Sequence, residues 1–159
     1  HNILVVAAEG REEESIKRLA RVGYDRVLGF LEGGFASWQS EKREFDTVKR
    51  INADELAAVC SSNPAAVVLD VRKTSENYSE RLPSAVNLPL DNLNVRFNEL
   101  PETDTLYIHC AGGYRSMIFA SILKSRGVHN IVDVRGGFGA IKNAGLQEVT
   151  AYVCPSTML

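Results

Sequence analysis

Ala66-Val-Val-Leu-Asp70 is apolar at four successive positions and lacks the alternation of a strand with one wet face. A run of that kind is covered on both sides, which calls for a sheet buried between layers of helices. Leu106-Tyr-Ile-His109 and the stretch 130–134 read the same way. Helical patterns separate them: Leu56 and Val59 follow the candidate caps Asn52 and Asp54, and a longer helix spans about 116–126, stopped by Gly127. Strands alternating with helices predict an α/β fold, a mostly parallel central sheet with helices on both faces.

The same grammar extends to both ends. Residues 3–8 read as a strand, Glu12 to Val22 as a helix closed by Gly23, and Arg26 to Phe30 as a second strand. Lys42 to Lys49 is charged without an apolar period and reads as a linker. The next unit starts at Arg50-Ile51. Within it, 84–89 is a short strand between prolines, Asn92 to Leu100 a helix closed by Pro101, and a short helix ends at Ala144. The expected organisation is a partial segment 1–46, a complete domain 47–150 and a tail 151–159.

The partial segment echoes the complete one. Lys17-Arg-Leu-Ala-Arg-Val-Gly23 parallels Ser121-Ile-Leu-Lys-Ser-Arg-Gly127, and Glu32-Gly-Gly-Phe35 parallels Arg135-Gly-Gly-Phe138. The shared order of elements points to a tandem repeat whose first copy holds only the second half of the pattern. A sheet missing its first strands leaves apolar faces in water. Residues 1–46 are therefore expected to pack on the second domain, on an upstream part of a longer protein, or on another chain.

Composition narrows the partners. The net charge is -2 over 159 residues, with 45% hydrophobic and 24% charged residues. Nothing there points to nucleic acid or a membrane surface. No apolar run approaches the roughly 18–20 residues that span a bilayer. The start Ile3-Leu-Val-Val-Ala-Ala8 has no basic leader, so a cytoplasmic location is expected. Cys60, Cys110 and Cys154 lack CxxC spacing, and His1, His109 and His129 form no ligand pair, so no metal site is expected within the chain.

One stretch carries chemistry: Cys110-Ala-Gly-Gly-Tyr-Arg-Ser116, directly after a strand and directly before a helix. Gly112 and Gly113 allow the backbone to curl with its amides inward, and the helix opening near Arg115 or Ser116 aims its positive end at the same point. A cysteine placed there has its thiolate stabilised. The reading at this stage is a cradle for an anionic sulfur, which phosphate, arsenate or sulfur chemistry could each use.

The loop resembles the active-site loop of rhodanese-like sulfurtransferases. Leu69-Asp-Val-Arg72, Leu82-Pro-Ser-Ala-Val-Asn-Leu-Pro89 and Val134-Arg-Gly-Gly-Phe138 with Asn143-Ala-Gly-Leu146 resemble further segments of that family. The resemblance implies a three-layer sandwich and a ping-pong reaction. Cys110 would take a sulfane sulfur from thiosulfate or a persulfide, hold it as Cys–S–S⁻, and pass it to cyanide or a thiol. Ala111, Gly112, Gly113, Tyr114, Arg115 and Ser116 would surround the substrate, with Arg115 steadying the loop or receiving an anionic donor. Asp70 and Arg72 are supporting residues, a structural ion pair or cap near the loop. No cofactor is implied within this chain.

Four residues separate Cys110 from Arg115, one fewer than in the related dual-specificity phosphatases and arsenate reductases, which favours a sulfur-sized cradle. Those enzymes remain one alternative, and a non-catalytic binding or regulatory module is another. In the first copy the position of Cys110 falls on Val6 or Ala7, with Arg11 opposite Arg115, so that copy should be catalytically silent. His109 should point to the opposite face from Cys110. Trp38 is expected as a core or cap residue, and Cys60 and Cys154 as bystanders. The segment Arg21 to Phe35 also resembles metallo-β-lactamase–rhodanese fusions, which implies an upstream metal-binding domain whose ligands this chain lacks.

Overall fold

The structure, a computed structural model, describes residues 2–154. The chain divides between Asp46 and Thr47 into two compact units.

In the larger unit, five parallel strands form one sheet. They are β3 (Lys49–Ile51), β4 (Val67–Asp70), β5 (Val86–Asn87), β6 (Leu106–His109) and β7 (Ile131–Val134), in the order β3-β7-β6-β4-β5. Helices cover both faces, as the unbroken apolar runs demand. On one face Leu69, Leu106, Ile108 and Ile131 pack with Phe119, Ala120 and Leu123 of α5 (Tyr114–Ser125). On the other, Val68, Val132 and Val134 pack with Leu56 of α3 (Ala53–Ser62) and Ile141 of α6 (Gly137–Ala144). Each such side chain contributes about 1.5–3 kcal/mol by leaving water. Helix α3 opens with Asn52, whose N–H donates to Glu55 Oε2 at 2.7 Å, a reciprocal cap that fits the expected start.

Four expectations need correcting. The stretch 92–100 is not an α-helix but part of an irregular segment with 3₁₀ turns at Leu90–Asn92 and Phe97–Glu99. Its apolar residues Leu90, Leu93, Phe97 and Leu100 do face the core, yet the pairs Leu90–Leu93 and Phe97–Leu100, each three apart, suit 3₁₀ turns as well as a helix. The linker stops short of Lys49, because Lys49–Ile51 is an edge strand; with only Ile51 buried, it shows no alternation. Helix α4 (Thr74–Ser79) was absent from the sequence reading, being short and polar. Helix α5 starts at Tyr114, ahead of Arg115. Beyond the domain, Thr150 and Val153 donate backbone bonds to Arg81 and Ser79 carbonyls; the end of the expected tail, 155–159, lies outside the described residues.

The smaller unit has two parallel strands, β1 (Ile3–Val5) and β2 (Val27–Phe30), with helices α1 (Glu12–Arg21) and α2 (Gly34–Ser40). Strand β1 is shorter than the expected 3–8. Leu4, Val6, Leu28 and Phe30 alternate onto an exposed face, and Leu4, Val6, Phe30, Phe35 and Trp38 line an apolar cavity of ≈ 440 Å³. Trp38 keeps one polar tie, its indole N–H donating to the Glu44 carbonyl at 2.9 Å.

Candidate active site

Strands β4 and β6 end side by side, with Asp70 in register with His109. Their following loops leave the same C-terminal edge of the sheet, the usual place for a site in a parallel α/β fold. Cys110 is the first residue beyond β6. Leu106 and Ile108 lie with Cys110 in the core on the α5 side, whereas Tyr107 packs in the cluster on the α3 side. His109 belongs by alternation with Tyr107, so its ring turns away from the sulfur, as expected.

The cradle is built from backbone. Gly113 N–H donates to Cys110 Sγ at 3.1 Å, and Ser116 Oγ lies 3.5 Å from the same sulfur. Burial pushes the thiol up, but the Ser116 hydroxyl and the amides of Ser116, Gly113 and Gly112 together outweigh it and hold Cys110 below an ordinary thiol. Only Gly113, at φ +99°, needs the left-handed backbone; Gly112 has φ outside that region and open space around it. Glycine at 112 is thus not demanded by the curl, a correction to the sequence expectation. Cys110 and Ser116 are almost wholly buried, while Ala111, Gly112 and Tyr114 are exposed. Tyr114 is 80% exposed and takes no part in the cradle's interior.

Arg115 is committed elsewhere. Its Nη1 donates to Glu76 Oε2 at 2.6 Å and its Nη2 to Glu76 Oε1 at 2.9 Å. The hydrogen bonds from Arg115 hold the Glu76 carboxyl below the usual range, and Glu76 in turn raises Arg115. Glu76 also accepts from the Lys73 N–H at 3.2 Å, which fastens it to the first turn of α4. Sequence reasoning missed Glu76. An acidic residue three positions after Lys73, at the third helical position, was the available signal.

Beneath the loop lies a buried polar cluster. Asp70 accepts from the Arg72 backbone N–H (3.0 Å), from Arg72 Nε (2.9 and 3.0 Å) and Nη2 (2.6 Å), and from Asn77 Nδ2 (2.9 Å). Burial alone would raise Asp70, yet Arg72 and Asn77 hold it below the carboxylate range. Arg72 continues to the Glu80 carbonyl at 2.8 Å, and its guanidinium lies 3.9 Å from the Phe138 ring centroid. Phe138 also stacks on His109, with ring centroids 6.0 Å apart. Burial lowers the His109 pKa, so the ring stays neutral; Nδ1 is 3.3 Å from the Cys110 carbonyl oxygen. The ion pair expected of Asp70 and Arg72 is thus present; Arg72 lies against Phe138, and Asp70 Oδ1 is 3.9 Å from His109 Nδ1.

The Gly-Gly-Phe motif closes the loop from the other side. Phe138 N–H donates to the Cys110 carbonyl at 2.7 Å and Gly139 N–H to that of Ala111 at 3.1 Å. Gly136 and Gly137 have φ +71° and +55°, and a Cβ on Gly137 would sit 2.3 Å from the Cys110 oxygen. In the smaller unit Gly33 and Gly34 have φ +70° and +57°, and a Cβ on Gly34 would sit 2.3 Å from the Ala7 oxygen. Ala7 therefore holds the place of Cys110, which decides between Val6 and Ala7. Gly10, like Gly113, is the third residue beyond that place and has positive φ. Arg11 then corresponds to Tyr114 and Glu12 to Arg115, contrary to the expected match of Arg11. Arg11 is an exposed charge paired with Glu14 at 2.6 Å.

No group of three or more His, Cys, Asp or Glu side chains among the described residues is placed to hold a metal ion. Cys60, at the end of α3, is half-buried and raised by burial; Cys154 is exposed.

A parallel sheet between helices, with a cysteine cradled by amides at its edge and a glycine pair packed on that cysteine, marks an α/β domain built around a loop-borne thiol, and residues 52–144 match the rhodanese-like domain. The chain belongs to the rhodanese-like family. Among its relatives, a putative sulfur carrier protein of Bacillus subtilis is 31% identical over 91 residues, which cover 57% of this chain and 49% of the relative. The chain thus spans about half that relative's length. A sulfurtransferase of Allochromatium vinosum is 26% identical over 102 residues, covering 64% of this chain and 95% of the relative. Among solved structures, a rhodanese-related protein from Thermoplasma volcanium superposes with a TM-score of 0.57 at 30% identity, covering 64% of this chain and 97% of that one. A thiosulfate sulfurtransferase from Pseudomonas aeruginosa gives 0.57 at 25% identity, covering 95% of this chain and 33% of the other.

Proposed function

We propose that the chain is a sulfurtransferase in which Cys110 carries a sulfane sulfur as a persulfide between a small donor and a thiol or cyanide acceptor. The observation that carries this is the ring of donors around Cys110 Sγ, from Gly113 N–H and the Ser116 hydroxyl, with no base among them. A thiolate held below its ordinary pKa attacks without a base, and inward amides receive the charge of the terminal sulfur once it is loaded. Arg115, tied to Glu76, steadies the loop; Asp70 and Arg72 support it from below. The family relatives named as sulfur carrier and sulfurtransferase agree with this reading.

Incubation with a persulfide or thiosulfate should add one sulfur atom to Cys110, seen by intact mass, and cyanide should remove it as thiocyanate. Loading of Cys110→Ser to the parent's extent would overturn the mechanism. If Cys110 accepts sulfur from no donor while the fold is intact, the chain is a binding or regulatory module instead.

The smaller unit is read as a degenerate, silent second half of a tandem copy. Ala7 in the cysteine place supports that, as does Glu12 where Arg115 stands in the other unit. Its exposed apolar face suits burial against an upstream part of a longer protein, for which a metallo-β-lactamase-fold domain is the proposal carried by the segment 21–35. No helix among the described residues is long and apolar enough to cross a membrane; a cytoplasmic setting is part of the same proposal.

A further inference from the structure

We infer that Glu76 sets donor choice. By closing an ion pair on Arg115, the only cation in the 110–116 loop, it leaves Cys110 suited to a persulfide R–S–SH rather than to the thiosulfate dianion. This inference rests on the sulfur-transfer reading above and names its substrate class.

Three arginines beside the loop are each paired with a carboxylate. Arg115 spends both terminal nitrogens on Glu76 at 2.6 and 2.9 Å, and Glu76 is held in place by the Lys73 N–H. Arg72 is spent on Asp70. Arg50, whose Nη2 would lie 3.5 Å from a Cβ on Gly113, is held through Nε by the buried Asp133 at 2.8 Å. Three arginines meet three carboxylates. The positive groups in contact with the sulfur are amide dipoles and the start of α5, enough for one negative charge and already engaged by the thiolate.

The two donors ask different things of such a site. Thiosulfate brings two negative charges to the thiolate. The Cys110 sulfur bonds the sulfane sulfur, the S–S bond of thiosulfate breaks, and its electron pair leaves with sulfite, a dianion. With a persulfide the Cys110 sulfur bonds the terminal sulfur and the S–S bond of the persulfide breaks, its electron pair leaving with R–S. The proton of the terminal sulfur goes to the leaving thiolate, giving Cys–S–S⁻ and R–SH. The net charge is a single negative one throughout. A neutralised Arg115 penalises the first route and leaves the second untouched.

The test compares kcat/KM for sulfur loading by thiosulfate and by the persulfide of N-acetylcysteine methyl ester, a donor with an uncharged body, in the parent and in Glu76→Gln. The amide keeps an acceptor for Arg115 and removes the charge. The parent should favour the persulfide, and the thiosulfate-to-persulfide ratio should rise about tenfold in the variant. A parent that favours thiosulfate, or a ratio that stays level or falls, overturns the inference while the sulfur-transfer reading stands. Loading by neither donor overturns that reading instead. Salt gives a second readout on the parent alone: added salt should speed loading by thiosulfate relative to the persulfide, as for like charges, and a slowing would overturn the inference.

Discussion

Gly137 lies so close to Cys110 that a single methyl group could not be placed between them. A Cβ at 137 would come within 2.3 Å of the Cys110 carbonyl oxygen and 2.9 Å of two Ala111 atoms. All of these are backbone, which cannot swing aside as a side chain would. The backbone at 137 is also left-handed, at φ +55°. Gly137→Ala should therefore cost about 2–4 kcal/mol in urea unfolding, from strain and overpacking together. It should also slow alkylation of Cys110 in the folded protein at neutral pH, because the displaced loop no longer aims its amides at the sulfur.

The ionisation of Cys110 ties reactivity to pH. The folded thiol ionises at lower pH than the unfolded one, since the donated hydrogen bonds outweigh burial. The stability this gives is complete above the unfolded thiol's value, about 8.5, and is lost as pH falls through the lower folded value. Alkylation of Cys110 by iodoacetamide should show its midpoint below that of a free cysteine. Ser116→Ala should move the midpoint back up and slow the reaction at pH 7 by roughly threefold or more. A midpoint unmoved by the substitution would remove Ser116 from the cradle.

Asp70 and Arg72 behave as one buried unit. Asp70→Ala leaves the Arg72 guanidinium buried and uncompensated, at a cost of about 3–5 kcal/mol. Arg72→Lys should be almost as damaging, because an ammonium cannot reproduce the two-pronged contact with Asp70 and the flat contact with Phe138. As the folded Asp70 pKa lies below the unfolded one, its stabilisation is full above the ordinary carboxylate range and fades as pH falls through the folded value. Asp70→Asn should flatten the acid limb of the stability–pH curve, measured by urea midpoints at successive pH values.

Much of this was legible in the residues alone. The unbroken apolar runs at 66–70, 106–109 and 130–134 announced a doubly covered sheet because burial on both faces removes alternation. Cys110 and Gly113 were legible because a strand, a glycine turn and a helix start leave few ways to arrange a thiol, whereas Ser116 entered through the family resemblance. What escaped was held by tertiary contact. Lys49 to Ile51 has one buried side chain and becomes a strand only by pairing with β7. Glu76 sits on a six-residue polar helix without periodicity, and its partner lies 39 positions away. Tyr114, in the midst of the loop, turned out to face water because the first residue of α5 points away from the sulfur.

The position of Phe138 bears on the order in which the domain closes. Its ring spans Arg72 and His109, and its N–H holds the Cys110 carbonyl. During synthesis the cysteine emerges before Gly137 and Phe138, so the carbonyls of Cys110 and Ala111 find their partners only when the last strand–helix step of the domain is complete. The loop that carries the thiol is thus sealed last, by the C-terminal part of the domain.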